Sequence, residues 1–539
     1  MSLQPQPIPS VPEQTEKIAR GAFRRGNIYM KMRDELGTFF ADDQFVDMYP
    51  ADGQPAYAPW RLALISVMQF AENLTDRQAA DAVRARIDWK YALSLELDDE
   101  GFDFSVLSEF RQRLLTHEAG EKLFNHMLEQ LAEAGLLEGR GQQRTDSTHV
   151  VGAVRQLNRL ELVARTLQTA LNGVAEVAPD WLQAWVEPIW FTRYGQTLTD
   201  YRLPSSKPKR QALALTIGQD GQRLLEAVYC DPDTPSDLRQ LPAIEILRQV
   251  WVQQYVQVED ELRWRESHEL PPAGLQIVSP FDLTARYSRK RTTEWVGYKV
   301  HLTETYASDH PHLITHVLTT PATETDVEHT ETIHQGLEAQ GRLPDVHAVD
   351  AGYTSAEQLV TSRDRYQVEL LGPVSESHPW QRETGYTVLA FDIDWDNERV
   401  VCPQGNQSAH WYTYDDTVRV AFSPADCQAC PVREACTRGQ KRMLAFPTHE
   451  QFEALWERRE VQQTQAFRKR YNKRAGVEGT ISQGAFALGM RHSRYRGLEK
   501  NHLQNLLTAM AMNLTRSLNW IHQVPQHTTD VSRFARLAA

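Results

Sequence analysis

Residues 345–360, DVHAVDAGYTSAEQLV, contain a short apolar run, a glycine-containing turn and a segment of helical composition. The apolar run leads to Asp350, and Ser355 stands where an N-cap would start a helix. A buried strand that passes through a turn directly into a helix is typical of α/β domains. The stretch therefore predicts a mixed α/β domain in which an acidic residue ends a strand.

Further strand signals lie on both sides of this stretch. QQRTDSTHVVGAV (residues 142–154) has an extended, β-branched character and predicts a strand at about residues 144–151. TEWVGYKVHLTET (residues 293–305) and HLITHVLTT (residues 312–320) predict a hairpin, and YQVELLGPV (residues 366–374) predicts another short strand. Helical and cysteine-bearing segments separate these strands, so we expect the α/β domain to be interrupted by insertions.

The N-terminal part of the chain has a helical pattern. PWRLALISVMQFAENLTDRQAADAVRARIDW (residues 59–89) predicts two short helices joined near Asn73, with Thr75 as the N-cap of the second. This is the outline of a helix-turn-helix DNA-binding unit, in which Arg77 and Arg84 would face DNA. Helix pairs are also common in ordinary bundles, so the outline alone does not decide between the two.

The composition is that of a globular protein with several domains. The chain has 539 residues, of which 41% are hydrophobic and 24% charged. The length predicts roughly two to four domains, and the composition excludes wholesale disorder. No apolar run approaches the length of a spanning helix, and the polar, Pro-rich start is no signal peptide. We therefore expect a cytoplasmic protein that does not bind a membrane.

Basic residues are concentrated in one region, although the formal net charge is -13. Between residues 468 and 500 there are nine Lys or Arg and two Glu. Within it, RKRYNKRAGVEGTISQG (residues 468–484) has one acid, Glu478, among five basic residues. Either Glu478 neutralises a solvated surface, or it meets a cation where phosphate also binds. Binding to a DNA backbone depends on local charge, so the acidic total does not exclude DNA.

Three acids are conspicuous by position: Asp146 within a predicted strand, Asp350 at a strand end, and Glu478 in the basic run. A carboxylate at a strand end can project into the cleft where α/β proteins bind ligands. Three acids that converge from separate elements could hold divalent cations. Taken singly, each is better explained as a turn, capping or surface residue. Other acids of the same type are Asp282, Asp326 and Asp394.

Four motifs, in order along the chain, resemble those of insertion-sequence transposases of the DDE type. They are RTDSTHV (residues 144–150), DLTARYSRKRTTEWVGYKVHLTET (residues 282–305), VDAGYTS (residues 349–355), and YNKRAGVEGTISQG with GMRHSRYRGLEKNHLQ (residues 471–484 and 489–504). In that family a ribonuclease-H-like α/β fold supplies two Asp and one Glu to two divalent metal ions. The resemblance, over roughly residues 25–520, implies the same fold here.

By this resemblance, the catalytic and metal-binding acids are Asp146, Asp350 and Glu478, and the cofactor is Mg²⁺ (two ions) or Mn²⁺. The family's Y-x2-R-x3-E signature falls on Tyr471, Arg474 and Glu478. On a helix this spacing puts the three side chains on one face, although the nearby glycines predict a distortion. The implied reaction is cleavage of DNA at the ends of the element and joining of its 3′ ends to target DNA.

Double-stranded DNA is accordingly the expected partner, as transposon ends and as target. The residues expected to contact it are Tyr471, Lys473, Arg474, Arg491, Arg494, Arg496, Arg77 and Arg84. The sequence departs from the family at one point, because Ala485 stands where a Lys usually follows the Glu by seven residues. Arg491 and Arg494 are the candidates to replace that Lys.

Four cysteines lie close together in a polar, aromatic segment. Cys402, Cys427, Cys430 and Cys436 form the pattern C-x24-C-x2-C-x5-C, which fits a structural Zn²⁺ site. The alternative is that these are ordinary reduced thiols. Cysteine-bearing insertions occur at the same place in the family that the chain resembles. Cys230 stands alone and is expected to be a buried apolar residue.

We therefore predict an α/β ribonuclease-H-like core with a mainly helical N-terminal domain and two insertions. The expected parts are a flexible arm (1–20), a helical DNA-binding domain (21–140), the core (141–154, 280–375 and 456–523), a mainly helical insertion (155–279), a zinc-binding insertion (376–455) and a tail (524–539). The function predicts a homodimer, because two transposon ends must be brought together, and association with the nucleoid.

Two other functions are compatible with the same residues. The first is a metal-dependent endonuclease on the same core that cuts DNA without joining strands. The second is a domesticated DNA-binding protein whose acids no longer catalyse. The presence of all three acids argues against the second, and nothing in the sequence excludes the first.

Overall fold

The computed structural model describes residues 1–155, 157–196, 203–259, 261–374, 380–415 and 417–524. The expected tail, residues 524–539, lies outside these ranges apart from its first residue. None of the helices in the described ranges has the length and apolar character needed to cross a membrane.

The helices of the described residues are distributed along the whole chain. In chain order they are α1 (Glu13–Ala22), α2 (Ile28–Glu35), α3 (Pro59–Ala71), α4 (Asp76–Ala85), α5 (Ile87–Ala92), α6 (Ser105–Thr116), α7 (Gly120–Glu133), α8 (Arg159–Val177), α9 (Pro179–Trp185), α10 (Pro188–Tyr194), α11 (Lys207–Cys230), α12 (Pro242–Gln254), α13 (Thr330–Ala339), α14 (Ala356–Asp364), α15 (Gln381–Thr384), α16 (Pro424–Ala429), α17 (Arg433–Cys436), α18 (His449–Val461), α19 (Gln465–Tyr471), α20 (Gly476–Ala487) and α21 (Leu498–Ile521).

The strands form one larger sheet and three small ones. In chain order they are β1 (Gln142–Val151), β2 (Tyr255–Val258), β3 (Glu261–Trp264), β4 (Arg286–Lys290), β5 (Thr293–Thr305), β6 (Ile314–Pro321), β7 (Val346–Ala348), β8 (Glu369–Leu371), β9 (Asp392–Asp394), β10 (Arg399–Val401), β11 (Ser408–Tyr414), β12 (Thr417–Phe422) and β13 (Met443–Pro447). Short 3₁₀ turns lie between them, including Asp326–His329, Ala351–Tyr353 and Asn472–Ala475.

The larger sheet has six strands in the order β4-β5-β1-β7-β8, with β6 also paired to β5. β1 is antiparallel to β5 and parallel to β7, and β7 is parallel to β8. The expected hairpin of residues 293–305 and 312–320 is present, because β5 and β6 pair antiparallel. The sheet is therefore mixed, with its parallel part on the side of β7 and β8.

The register between β1 and β7 determines which residues meet at the sheet edge. Gln142 lies opposite Val346, and Arg144 lies opposite Ala348. Asp146 lies two residues beyond Arg144 on β1, and Asp350 lies two residues beyond Ala348, after the last residue of β7. β1 continues to Val151 whereas β7 ends at Ala348, and the charge of Asp146 acts on Asp350, so the two acids lie near each other where β7 ends.

The helical N-terminal region and the larger sheet share one hydrophobic core. That core contains buried side chains of α3, α6 and α7 together with Val300 and Leu302 of β5. α21 joins the two parts, because it packs against α3, α7 and β6 and is buried along most of its length. Its apolar residues Leu507 and Met510 are completely buried, as their helical spacing predicts.

The two inserted segments have cores of their own. Residues 155–279 form α8–α12 and the β2–β3 hairpin around a separate apolar cluster that includes Leu167, Ile217 and Val250. The described residues between 380 and 455 form the small sheets β9–β10 and β11–β13 around Phe391, Val420 and Phe446.

Two expectations about single segments are wrong. Residues 1–20 are not a free arm, because Ser2 and Leu3 are buried, Ser2 pairs with Pro55, and α1 begins at Glu13. A Pro-rich composition indicates that a segment is not helical, but it does not indicate whether the segment packs against the rest of the protein. Cys230 is exposed, because it is the last residue of α11 and faces solvent.

A buried ion network ties the sheet to the C-terminal helices. The carboxylate of Glu304 on β5 is fully buried and is 2.7 Å from Arg144 of β1 and 2.7 Å from Arg516 of α21. It also accepts a hydrogen bond from the hydroxyl of Thr480 on α20, at 2.5 Å. The guanidinium of Arg144 in turn donates to the carbonyl oxygen of Lys473, at 2.6 Å.

We predict that Glu304→Ala lowers the free energy of unfolding by about 3–5 kcal/mol, because two buried guanidinium groups lose their carboxylate. Urea unfolding followed by tryptophan fluorescence measures the change. The control is Glu369→Ala, which removes an exposed pair with Arg470 at 2.6 Å and should cost about 1 kcal/mol or less. Equal losses in the two variants would contradict the role of Glu304.

Candidate active site

Asp146 lies on the central strand β1 with its side chain mostly buried, 17% exposed. One carboxylate oxygen accepts the backbone N–H of Ser147 at 2.7 Å, and the other is 3.0 Å from the guanidinium of Arg474. The acid is therefore paired with a cation, as a carboxylate within a sheet requires.

Asp350 follows β7 and caps the 3₁₀ turn Ala351–Tyr353. Its carboxylate accepts the backbone N–H of Gly352 at 2.8 Å. Burial raises the pKa of Asp350, and the negative charges of Asp146 and Asp326 raise it further. Gly352 is required here, because a Cβ at that position would lie 2.9 Å from the carboxylate of Asp350 and 3.3 Å from that of Asp326.

Glu478 lies in the first turn of α20 and is the most exposed of the three acids, at 68%. Its carboxylate is 3.8 Å from the guanidinium of Arg474. The predicted distortion of the helix is present, because the 3₁₀ turn Asn472–Ala475 separates α19 from α20. Tyr471 and Arg474 still face each other, with the guanidinium 5.8 Å from the ring centre.

Arg474 connects the three acids electrostatically. Burial acts to lower the pKa of Arg474, but the negative charge of Asp146, with smaller contributions that include Asp350, outweighs burial and raises it. A cation is thus already held where the carboxylates meet. Carboxylate oxygens are the ligands that Mg²⁺ and Mn²⁺ prefer, so Asp146, Asp350 and Glu478 fit such an ion.

The three acids are not drawn together as closely as an ion-bound set would be. Among the described residues, Glu138, Asp309 and His310 are the set whose ligand atoms all lie within 4.8 Å of one another. These residues are at the opposite end of β1, and two of them are exposed carboxylates. In the candidate active site, Arg474 contacts both Asp146 and Glu478.

Asp326, Lys299 and Ser147 also belong to this site, and sequence reasoning did not select them. Asp326 begins the 3₁₀ turn before α13, and its carboxylate is 3.0 Å from the ammonium of Lys299. The hydroxyl of Ser147 donates to the same carboxylate at 3.2 Å. The sequence named Asp326 as one acid among several, and no local pattern distinguishes it.

The basic residues expected to contact DNA differ in their exposure and in their contacts within the protein. Lys473 and Arg496 are exposed, and Arg77 is exposed with its guanidinium 4.5 Å from the ring centre of Phe104. Arg491 donates to the hydroxyl of Thr148 at 3.0 Å.

Arg84 and Arg494 are held by hydrogen bonds to neighbouring loops, although Arg84 is exposed. Arg84 donates to the carbonyl oxygens of Glu100 and Phe102, at 2.8 and 2.7 Å. Arg494 donates to the carbonyl oxygen of Leu74 at 2.7 Å and to the side chain of Asn73. Arg494 therefore fastens the loop before α21 to the turn between α3 and α4.

Lys290 and His492 also lie near His149 of β1, and sequence reasoning did not select them. Burial lowers the pKa of His149, and the positive charges of Arg491, His492 and Lys290 lower it further. The ring of His149 lies over that of Trp295, with 5.4 Å between ring centres. Positive charge therefore surrounds the end of β1 that follows Asp146.

Comparison with known protein families gives two matches. A family described as "Transposase DDE domain" matches residues 401–518, and "Transposase domain (DUF772)" matches residues 19–113. The first match contains Glu478 with its surroundings, and the second contains the α3–α4 pair. Together the two matches support an insertion-sequence DDE transposase. No curated protein and no solved structure matched the chain.

The four cysteines of the transposase line one small pocket. Cys402 follows β10, Cys427 lies in α16, Cys430 follows that helix, and Cys436 ends α17. Burial raises the pKa of the Cys436 thiol, Arg442 opposes this, and the other three cysteines add to it. Four thiols are the donor set of a structural Zn²⁺ site, but no three of these sulfur atoms lie within 4.8 Å of one another in the described residues.

We predict that Asp350→Asn raises the thermal midpoint of the transposase near pH 7, because burial and neighbouring charges oppose ionisation of Asp350. Because the pKa of Asp350 is raised in the folded state, ionisation of Asp350 does not lower the free energy of unfolding below the ordinary pKa of 3.8. That free energy falls as the pH rises from 3.8 through the folded-state pKa. The gain should therefore vanish near pH 4. Glu478→Gln, which alters an exposed carboxylate, is the control and should leave the midpoint unchanged at both pH values.

We predict that the purified transposase contains about one zinc ion per chain and that Cys430→Ser loses it, because a closed site needs all four ligands. Zinc content is measured by atomic emission. Cys230→Ser changes an exposed cysteine outside the pocket and should keep the metal. Zinc retained in Cys430→Ser would refute the assignment.

Proposed function

We propose that this transposase binds the ends of an insertion sequence, cleaves them and joins their 3′ ends to target DNA. The observation that carries the proposal is the closeness of Asp146, within β1, to Asp350, just after the adjacent parallel strand β7, with Arg474 contacting both Asp146 and Glu478. The alternative of a non-catalytic DNA-binding protein is less well supported, because Asp146 and Asp350 are kept close despite their mutual repulsion.

We further propose that the six-stranded sheet is a ribonuclease-H-like core. The strand order β4-β5-β1-β7-β8, with antiparallel pairs on one side and parallel pairs on the other, supports this proposal. So do the helices α13 and α14 on either side of β7 in the sequence, and α20 with its acid after the second insertion. The proposed core residues remain 141–154, 280–375 and 456–523.

Asp146, Asp350 and Glu478 would hold Mg²⁺ or Mn²⁺. Two such ions, when bound, supply activation of water or a 3′-hydroxyl and stabilise the leaving oxygen of an in-line displacement. The chain's own contribution is electrostatic. Arg474 balances the carboxylates, and its guanidinium can pass to a DNA phosphate when cations replace it beside Asp146.

DNA would be bound by the basic surface around this site. Lys473 and Arg496 are exposed, and Arg491 lies with His492 and Lys290 beside the end of β1. Arg77 on α4 extends the surface to the helix pair. Tyr471 acts here through Arg474, which it faces. Arg84 and Arg494 would serve mainly by holding the helix pair in place. A homodimer is proposed from the need to hold two DNA ends.

We predict that Glu478→Gln abolishes Mg²⁺-dependent cleavage of DNA carrying the element's ends, by about a hundredfold or more, since removing even an outer partner of a metal ligand costs 10–100-fold. The substitution keeps the shape of the side chain, so binding to the ends should persist in a gel-shift assay. Glu499→Gln, an exposed acid at the start of α21, is the matched control and should cut like wild type. Equal cutting by all three proteins would remove Glu478 from the site.

The same assay with pre-cleaved ends and a target plasmid distinguishes a transposase from an endonuclease on the same core. Joined products that require Glu478 support strand transfer. Cleavage without joining would favour the endonuclease.

A further inference from the structure

Lys299 and Asp326 form an ion pair that is almost completely enclosed. The ammonium of Lys299 on β5 is 3.0 Å from the carboxylate of Asp326, and the two side chains are 16% and 12% exposed. The same ammonium donates to the carbonyl oxygen of Glu324. Two opposite charges so little exposed to water interact more strongly than a surface pair.

The pair borders the candidate active site on two sides. The oxygen of Asp326 that meets Lys299 also accepts the hydroxyl of Ser147, the residue after Asp146. The other oxygen of Asp326 and one oxygen of Asp350 lie 3.3 and 2.9 Å from the point where Gly352 would carry a Cβ. Asp326 thus contacts the strand that carries Asp146 and the turn that Asp350 caps.

The acids in this space outnumber the cations by one. Asp146, Asp350 and Asp326 bring three negative charges, while Lys299 and Arg474 bring two positive ones. The charge of Asp326 is felt at Asp350, whose pKa it helps to raise. A change of one unit charge beside these carboxylates would alter their affinity for a divalent cation by a large factor, because little water screens the interaction.

We propose that Lys299 and Asp326 are positioning residues that set the charge of the pocket, and with it the strength with which Asp146 and Asp350 hold a divalent cation. This inference rests on the proposed function, since it takes Asp146 and Asp350 to be the ligands. Asp326 also accepts the hydroxyl of Ser147, so it contacts the residue next to Asp146.

The proposal predicts opposite effects for the two members of the pair. Asp326→Asn leaves the Lys299 charge uncompensated and should weaken Mn²⁺ binding by about ten- to a hundredfold. Lys299→Met leaves the Asp326 charge uncompensated and should strengthen Mn²⁺ binding. The double variant restores the charge balance and should bind within about threefold of wild type. Both substitutions nearly conserve side-chain size.

Mn²⁺ titration of the full-length protein, followed by electron paramagnetic resonance of the free ion, measures these affinities. Asp350→Asn removes one proposed ligand, so the Mn²⁺ that this variant still binds measures binding outside the candidate active site. Glu294 lies on β5, as Lys299 does, and forms an exposed pair with Arg289 of β4. Glu294→Gln is therefore the matched control and should bind Mn²⁺ like wild type.

The outcomes separate this inference from the proposed function. Opposite shifts in the two single variants, with recovery in the double variant, support a charge-setting pair. Equal affinities, or a loss in both single variants, would overturn it while leaving the site at Asp146 and Asp350 intact. Unchanged Mn²⁺ binding in Asp350→Asn would instead overturn the proposed function.

Discussion

The buried carboxylate of Glu304 is the constraint on which the arrangement of the molecule depends. It faces guanidinium groups from β1 and α21 and a hydroxyl from α20, so four elements distant in sequence meet at one charge. Taking these ions out of water is costly, and the cost is offset only when all partners are in place. A geometry that satisfies Glu304 also brings α20, and with it Glu478, to the edge of the sheet that carries Asp146 and Asp350.

α21 provides the second connection, between the sheet and the helical N-terminal region. The side-chain amide of Asn513 exchanges two hydrogen bonds of 2.8 Å with the backbone of Ile314 on β6, while the apolar residues of α21 pack against α3 and α7. The loop before α21 is fastened by Arg494 to the turn between α3 and α4. The helix pair and the candidate active site therefore have a fixed relation to each other.

The parts of the site that a local pattern encodes could be predicted from the sequence. The strand of Asp146, the strand end at Asp350 and the helix pair capped by Thr75 follow from β-branched runs, a glycine turn and a capping residue. Asp326, Lys299 and Glu304 could not be recognised, because their partners are distant in sequence and become neighbours only through strand register. The burial of residues 2–3 was missed for the same reason, since the segment that covers them lies near Pro55.

The positions of the partners of Glu304 along the chain also determine when this ion network can form during synthesis. The residues joined by the Glu304–Arg516 contact are 212 positions apart. At about 5–20 residues per second, a ribosome needs roughly 10–40 s to make the intervening chain. Throughout that interval the carboxylate of Glu304 lacks one of its cations, and α20 is made only near its end. A chain that ends between residues 350 and 478 therefore has the two aspartates without the glutamate, and the full set of acids is present only after most of the protein has been made.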